Sequence, residues 1–282
     1  MKIARIRTPD QTTVYATPTE DGRYLRLAGE LFTDFTPTKE EVSCETLLAP
    51  LDPPSVLCIG LNYLKHAVEG GMTIPEHPVL FMKAPTSVVA SEQPIVLPST
   101  VRSDHVDFEC ELAVVIGKAC KNVTTADALD YVYGYTCAND VSARDWQMHG
   151  GGHQWCRGKT FDTFCPLGPY LVTSDEIPDP QQLTIRTVLN GTVMQDWSTN
   201  DMIFDVAHLV SFLSGSTTLA AGTVILTGTP HGVGFARRPP VYLQPGDIVA
   251  IEIEGIGRLS NPVVREDTIT TVMPPHGNGP AA

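Results

Sequence analysis

What the chain has little of narrows its function first. Lys and Arg number 19 against 32 Asp and Glu, a net charge of −13, so the clustered basic surface that a nucleic-acid backbone requires is missing. An anionic ligand would need positive charge supplied locally, by a metal, an arginine or a lysine. No run reaches the ~18 apolar residues of a membrane helix. The opening MKIARIRTPDQ has neither the apolar core of a secretory signal nor the long acid-free stretch of a transit peptide. A cytoplasmic protein is therefore expected, with mitochondria left open. Seven cysteines show no CxxC pair and no regular spacing. That excludes a disulfide framework or a zinc cage and reads as reduced core residues. GxxxxGK[ST] is absent, which removes the phosphate loop. There is no internal repeat, and the one loose segment is the tail PPHGNGPAA, expected to be disordered.

What is there is a β-rich chain. Its 282 residues suffice for one large domain, or for a small one and a large one. KIARIR, TVYAT and YLRLAG are short strand candidates, the last following a Glu20-Asp21-Gly22-Arg23 turn. A Pro-rich joint at 49–54 then marks a boundary. A small N-terminal β-rich domain (1–52) and a main domain (53–282) are expected. Further strands are predicted at VLCIG, PVLFMK, SVVA, 107–116, YVYGYTCAND, VILTG, VYL and IVAIEIEGIG. Asn190-Gly191 predicts a type I′ hairpin within TIRTVLNGTVMQD. Helices are predicted near 62–70, 125–131, 142–149 and 203–214. Strands outnumber helices without βαβ alternation, so the fold class is α+β, β-rich, not doubly wound.

Residues 107–116 alternate with period two. Asp107, Glu109 and Glu111 fall on one face, and Phe108, Cys110, Leu112, Val114 and Ile116 on the other. Same-face neighbours lie about 6.6–7 Å apart. Two carboxylates at that spacing, leading into an apolar run, repel and raise each other's pKa. A hard divalent cation with oxygen ligands relieves this; a half-exposed strand with a solvated acidic edge would show the same pattern. Asp140 ends a strand, and Ser142-Ala-Arg-Asp145 opens a predicted helix with a capping-box-like pattern. Arg144 and Gln147 share a face of that helix, suited to the far carboxylate of a chelated ligand. The plainer alternative is a surface helix with an Asp140–Arg144 pair. Lys159 stands in an otherwise apolar stretch and needs a carboxylate partner or a catalytic task. His66 and Glu69, i and i+3 on a helix, make either a general base or a surface contact. The segment 226–234 packs three glycines and two threonines after a strand, which offers N–H groups to an anion or simply forms a tight turn.

In this order, GLNY followed by His66 and Glu69, then DFECELAVVIG, NDVSARDWQ, GKTFDTFCPLGP, ILTGTPHGVG and GDIVAIEIEGIGRLSNPV resemble the fumarylacetoacetate hydrolase superfamily. The nearest likeness is to the eukaryotic domain-containing type 2 branch, in SARDWQM, QWCRGKTFDTFCPLGPYLVT and PPVYL. The resemblance covers residues ~55–265, in motifs long enough to make coincidence implausible. It implies a mixed β-roll of layered sheets, usually a homodimer. It implies Glu109, Glu111 and Asp140 as ligands of Mg²⁺ or Mn²⁺, with Ca²⁺ as a crystallographic substitute, and Lys159 beside them. Arg144 and Gln147 match substrate contacts, and Gly228 and Thr229 lie in the loop that receives the substrate's carboxylate. His66 and Glu69 match a dyad on a lid, about 62–78 here, that orders over the site. The chain departs at Leu61, where acylpyruvate-hydrolysing relatives often carry arginine, and in the HGGGH of His149 to His153.

The implied chemistry is enolate formation on a small anionic 2-oxo acid, promoted by a Lewis-acid cation. The type 2 likeness and Leu61 rank oxaloacetate keto–enol tautomerisation, with decarboxylation as a companion, above acylpyruvate- or fumarylacetoacetate-type C–C hydrolysis. Hydration or isomerisation of a 2-oxo-enoic diacid, a biosynthetic tailoring step, and a catalytically silent metal-binding dimer are the rivals. Glu109→Gln is expected to spare or slightly stabilise the metal-free fold by relieving repulsion. Gly70-Gly71 is expected to hinge the lid.

Overall fold

A strand that is apolar on both faces must lie inside a sheet with cover above and below, and this governs the architecture. The computed structural model describes residues 1–266; the tail expected to be disordered falls outside them. Cys110–Ile116 is buried at every residue and pairs antiparallel with Val132–Asn139, Cys110 opposite Asn139. The two lie centrally in a sheet that has twelve strands among the described residues. On one face Leu112, Val114 and Ile116 pack with Ile185, Ile251 and Leu259 of a second sheet and with the helix Val206–Ser214. On the other, Ala113 and Val115 meet Leu167, Leu171, Val224 and Ile3. Among the described residues the second sheet has five strands, in the order Thr192–Ser198, Thr184–Leu189, Ile248–Ile253, Gly257–Arg265 and Ile95–Leu97. This is the layered, β-rich α+β fold expected.

The N-terminal strands continue the large sheet. Lys2–Arg7 pairs antiparallel with Cys165–Thr173, Ile3 opposite Leu171. Beyond the acidic strand, Val224–Leu226 runs parallel to Val56–Gly60, which pairs with the edge strand Val79–Lys83. Among the described residues no helix is long and apolar enough to cross a membrane.

Several local expectations need correction. The predicted strand 107–116 is interrupted: Val106–Asp107 pairs with Ser142–Ala143, and the Glu109 N–H turns to the Asn139 side-chain oxygen at 3.0 Å. Its acidic face is buried, with Asp107, Glu109 and Glu111 at 0, 5 and 1% exposure, so the solvated-edge reading fails. The predicted helix 142–149 starts late, because Ser142 and Ala143 are consumed by strand pairing. A π-helical turn, Trp146–Gly150, follows, capped by Asp145. The segment 125–131 makes only a 3₁₀ turn, Ala128–Tyr131. VYL is no strand; Val241 and Leu243 bond singly to Gly234 and Val106. The helices Leu64–Glu69 and Val206–Ser214 and the hairpin at Asn190-Gly191, with φ of 49° and 80°, form as read.

Candidate active site

The Asp140 N–H donates to the Glu109 carbonyl at 3.0 Å, which sets Asp140 beside the acidic strand. Ligand oxygens of Glu109, Glu111 and Asp140 lie within 4.8 Å of one another, all buried. Among the described residues this is the one acid, histidine and cysteine cluster able to hold a metal ion. Cations surround it unevenly. Lys159 Nζ bridges Glu109 Oε2 at 2.7 Å and Asp140 Oδ2 at 2.8 Å. Lys83 Nζ stands 2.6 Å from Asp140 Oδ1. Arg144 Nη2 reaches Glu109 Oε1 at 2.7 Å and, with Nε, Asp107 Oδ2 at 2.8 and 3.0 Å. Its Nη1 donates to Gln147 Oε1 at 3.0 Å, and its guanidinium lies 4.4 Å from the Phe235 ring centre.

Four buried carboxylates, counting Asp107, thus face three buried cations. The uncompensated charge falls on Glu111, whose Oε2 accepts only the Gly228 N–H, at 2.7 Å, among the described residues. Burial and then the charges of Asp140 and Glu109 push its carboxyl well above the usual range. Burial pushes Glu109 up as well, but the charges of Arg144 and Lys159 outweigh it and hold that carboxyl low. Burial would lower the Lys159 ammonium; Asp140 and Glu109 outweigh it and raise its pKa. The expectation that Glu109→Gln relieves repulsion covers only part of its role, because Glu109 repels Glu111 but is also paired with Arg144 and Lys159.

A hard divalent cation fits this site. The donors are all carboxylate oxygens, one negative charge is in surplus, and Asp140 Oδ1 makes no hydrogen bond of good geometry despite the nearby ammonium.

The facing wall is the short helix and the glycine-rich loop. Asn62 pins the helix start, donating to Thr227 O at 2.7 Å and Phe204 O at 3.0 Å. Gly228 carries a φ of +98°, and a Cβ there would fall 2.7 Å from Asn62 Cβ. Glycine is thus required for its N–H to reach Glu111. His66 is 5% exposed, with Nδ1 3.5 Å from Glu69 Oε2. Both Glu69 oxygens accept the Gly232 N–H at 3.0 Å. Burial raises the Glu69 carboxyl, but the His66 contact and the Gly232 N–H outweigh it and lower its pKa. Lys65 Nζ sits 3.5 Å from the Trp197 ring centre.

The structure brings all the sequence-selected residues to one place, with some in other company than expected. Gln147 is bonded to Arg144, Arg144 in turn to Asp107 and Glu109, and the Gly228 amide is committed to Glu111. Thr229 keeps a buried hydroxyl in the loop. His149 and His153 are exposed. Sequence reasoning gave no site role to Lys83, Asp107 or Asn62. Lys83 alternates with Phe81 on the inward face of VLFMK, a signal that was readable. Asp107 shares the face of the two glutamates, and its Oδ1 accepts the Gly234 N–H at 2.8 Å.

Three carboxylates for a hard cation, a buried lysine and a His–Glu pair define a metal-binding enzyme site. Residues 55–264 match the fumarylacetoacetate (FAA) hydrolase C-terminal family, and the chain belongs to that family. It is 51% identical over 220 residues to the mitochondrial oxaloacetate tautomerase fahd2 of Xenopus laevis, covering 78% of this chain and 68% of that protein. The crystal structure of 2-hydroxyhepta-2,4-diene-1,7-dioate isomerase from Mycobacterium marinum is similar at 41% identity and a TM-score of 0.80, covering 94% of this chain and 99% of that one. That of 5-carboxymethyl-2-hydroxymuconate delta-isomerase from Mycobacterium smegmatis is similar at 40% identity and a TM-score of 0.82, covering 94% and 100%.

Proposed function

We propose that this enzyme interconverts the keto and enol forms of oxaloacetate, with decarboxylation as a side reaction, using Mg²⁺ or Mn²⁺. The observation that carries the chemistry is the convergence of Glu109, Glu111 and Asp140; the choice of substrate follows the relative at 51% identity. When bound, the cation supplies Lewis-acid polarisation of the 2-oxo group and offsets the charge left on Glu111. The rest is the work of this chain's side chains. Lys159 offers a buried donor beside the carboxylates, and Thr229 a hydroxyl for the substrate's carboxylate. Glu69 faces His66 Nδ1, which leaves Nε2 to take and return the proton at C3. Arg144, tied to Asp107 and Gln147, orients Glu109, and substrate contact by Arg144 and Gln147 belongs to the same reading. The lid at 62–78 excludes water when the Glu69–Gly232 contact is made.

A second reading, isomerisation of an unsaturated 2-oxo diacid, is favoured by the two mycobacterial isomerases, whose likeness extends over 94% of the chain. Leu61 in place of arginine argues against acylpyruvate hydrolysis. Exposed Leu80 and Met82 on the edge strand support a homodimer, which light scattering would test. The cytoplasmic expectation gains nothing from the frog relative, whose own name places it in mitochondria.

The test is loss of enol oxaloacetate absorbance with Mg²⁺ or Mn²⁺, run beside acetylpyruvate, fumarylacetoacetate and an unsaturated 2-oxo diacid. Acceleration of oxaloacetate alone, above the metal-only rate, is the expected result. No acceleration, or faster turnover of another panel member, overturns the reading.

A further inference from the structure

Gln195, on the strand Thr192–Ser198, is 1% exposed and reaches from the second sheet to the site. Its amide orientation is fixed by its neighbours' chemistry. Oε1 lies 3.0 Å from the Cys110 backbone nitrogen, which can only donate. Nε2 lies 2.8 Å from the Pro230 carbonyl, which can only accept. The remaining acceptor lobe takes the Thr187 hydroxyl at 2.7 Å. The remaining N–H goes to Thr229 Oγ1 at 2.9 Å. All the bonding capacity of the carboxamide is used, so it cannot turn over without losing several bonds at once.

The consequence falls on Thr229. Its oxygen accepts from Gln195, so its own proton must be given elsewhere. A carboxylate oxygen of a bound anion is a strong acceptor for that proton. Cys110 stands between Glu109 and Glu111, so one side chain spans from the acidic strand to the loop that faces it.

We infer that Gln195 is a positioning residue that fixes the Thr229 hydroxyl as a donor to the substrate's carboxylate. The inference rests on the reading above that Thr229 receives that group. Glutamine is required because the position must accept from the Cys110 N–H and donate to Thr229 together. Glutamate retains the acceptor half but takes the Thr229 proton for itself.

A double-mutant cycle of Gln195→Met and Thr229→Val tests this in the Mg²⁺-loaded protein, with oxalate as binding probe and oxaloacetate as substrate. Gln195→Met is expected to weaken oxalate binding and raise KM about tenfold, the worth of a hydrogen bond to a charged group. kcat should move less than about threefold, since uniform binding is what is lost. Mg²⁺ affinity measured by calorimetry should be unchanged. On top of Thr229→Val, Gln195→Met should add less than about twofold, because coupled residues are non-additive. Gln195→Glu should weaken oxalate at least as much as Gln195→Met, and it carries the cycle if the methionine variant does not fold. Additive losses, or a parallel fall in Mg²⁺ affinity, would show that Gln195 merely braces the acidic strand and overturn the inference. If the unaltered enzyme is inert toward oxaloacetate, the functional reading fails instead, and the oxalate cycle still decides the role of Gln195.

Discussion

The floor of the site and its cover are held by opposite means. The floor is a set of buried ion pairs gathered at the ends of the two central strands of the large sheet, where Lys159 and Lys83 grip Asp140 from both sides. The cover is a six-residue helix held by the Glu69–Gly232 contact, the Asn62 hydrogen bonds and one cation resting on an indole. A floor of buried charges tolerates no missing partner, since the survivor is stranded in low dielectric. A cover held by few, partly exposed contacts can open at small cost.

The same contrast recurs inside the floor. Glu109 and Glu111 are two residues apart on one face, yet the first neutralises two cations and the second neutralises none. Glu109→Gln sharpens that difference most. It takes one of two buried carboxylate partners from Arg144 and from Lys159, which keep Asp107 and Asp140, and should cost up to about 3 kcal/mol, the low end of the penalty for breaking a buried pair from one side. Urea unfolding of the metal-free protein would show it, together with loss of activity; an unchanged unfolding midpoint would mean the ion pairs contribute nothing.

On the cover, His66→Ala should lower kcat by about 10²–10⁴-fold, the contribution of a positioned base. Mg²⁺ affinity should stay the same, because the ligands belong to the floor. Near-normal turnover would move the proton transfer to Lys159. A third measurement separates the two glutamates. Mg²⁺ at about 100 times its Kd should stabilise the unaltered protein by about 2.7 kcal/mol, and Glu111→Gln should abolish that gain without destabilising the metal-free chain. Equal destabilisation by the two glutamine substitutions would erase the distinction between them.

What could be read from the sequence divides along the same line. The acidic strand, Asp140 and Lys159 were legible because a carboxylate or lysine inside an apolar run needs an explanation, and each has a short list of partners. The hairpin at Asn190-Gly191 was legible from its turn chemistry. The wiring was not. That Arg144 would turn to Asp107 and Glu109 depends on Ser142 and Ala143 pairing as a strand, which a capping pattern conceals. That Lys83 would close on Asp140 depends on the edge strand Val79–Lys83 lying across from Val141 and Phe164, whose carbonyls accept from its ammonium at 3.0 and 2.8 Å. Gln195 lies some 85 positions from Cys110, and nothing local announces that contact.

The smallest expected effect tests the cover by itself. Lys65 Nζ lies over Trp197, whose ring meets that of His231 edge-on at 4.9 Å, so the helix is fastened to the strand Thr192–Ser198 next to the glycine-rich loop. Lys65 is exposed, and a cation–π contact at an exposed site contributes about 0.5–1 kcal/mol. Lys65→Met keeps most of the apolar stem and removes the charge. Global stability should therefore fall by no more than that amount. Because the loss falls on the closed position of the helix, amide exchange in residues 64–69 should quicken by about two- to fivefold, the same free energy expressed as an opening equilibrium. Exchange in Cys110–Ile116 should not change, since the ion pairs of the floor do not involve Lys65. Faster exchange in both segments would mean that floor and cover open together, and the contrast drawn between them would not hold.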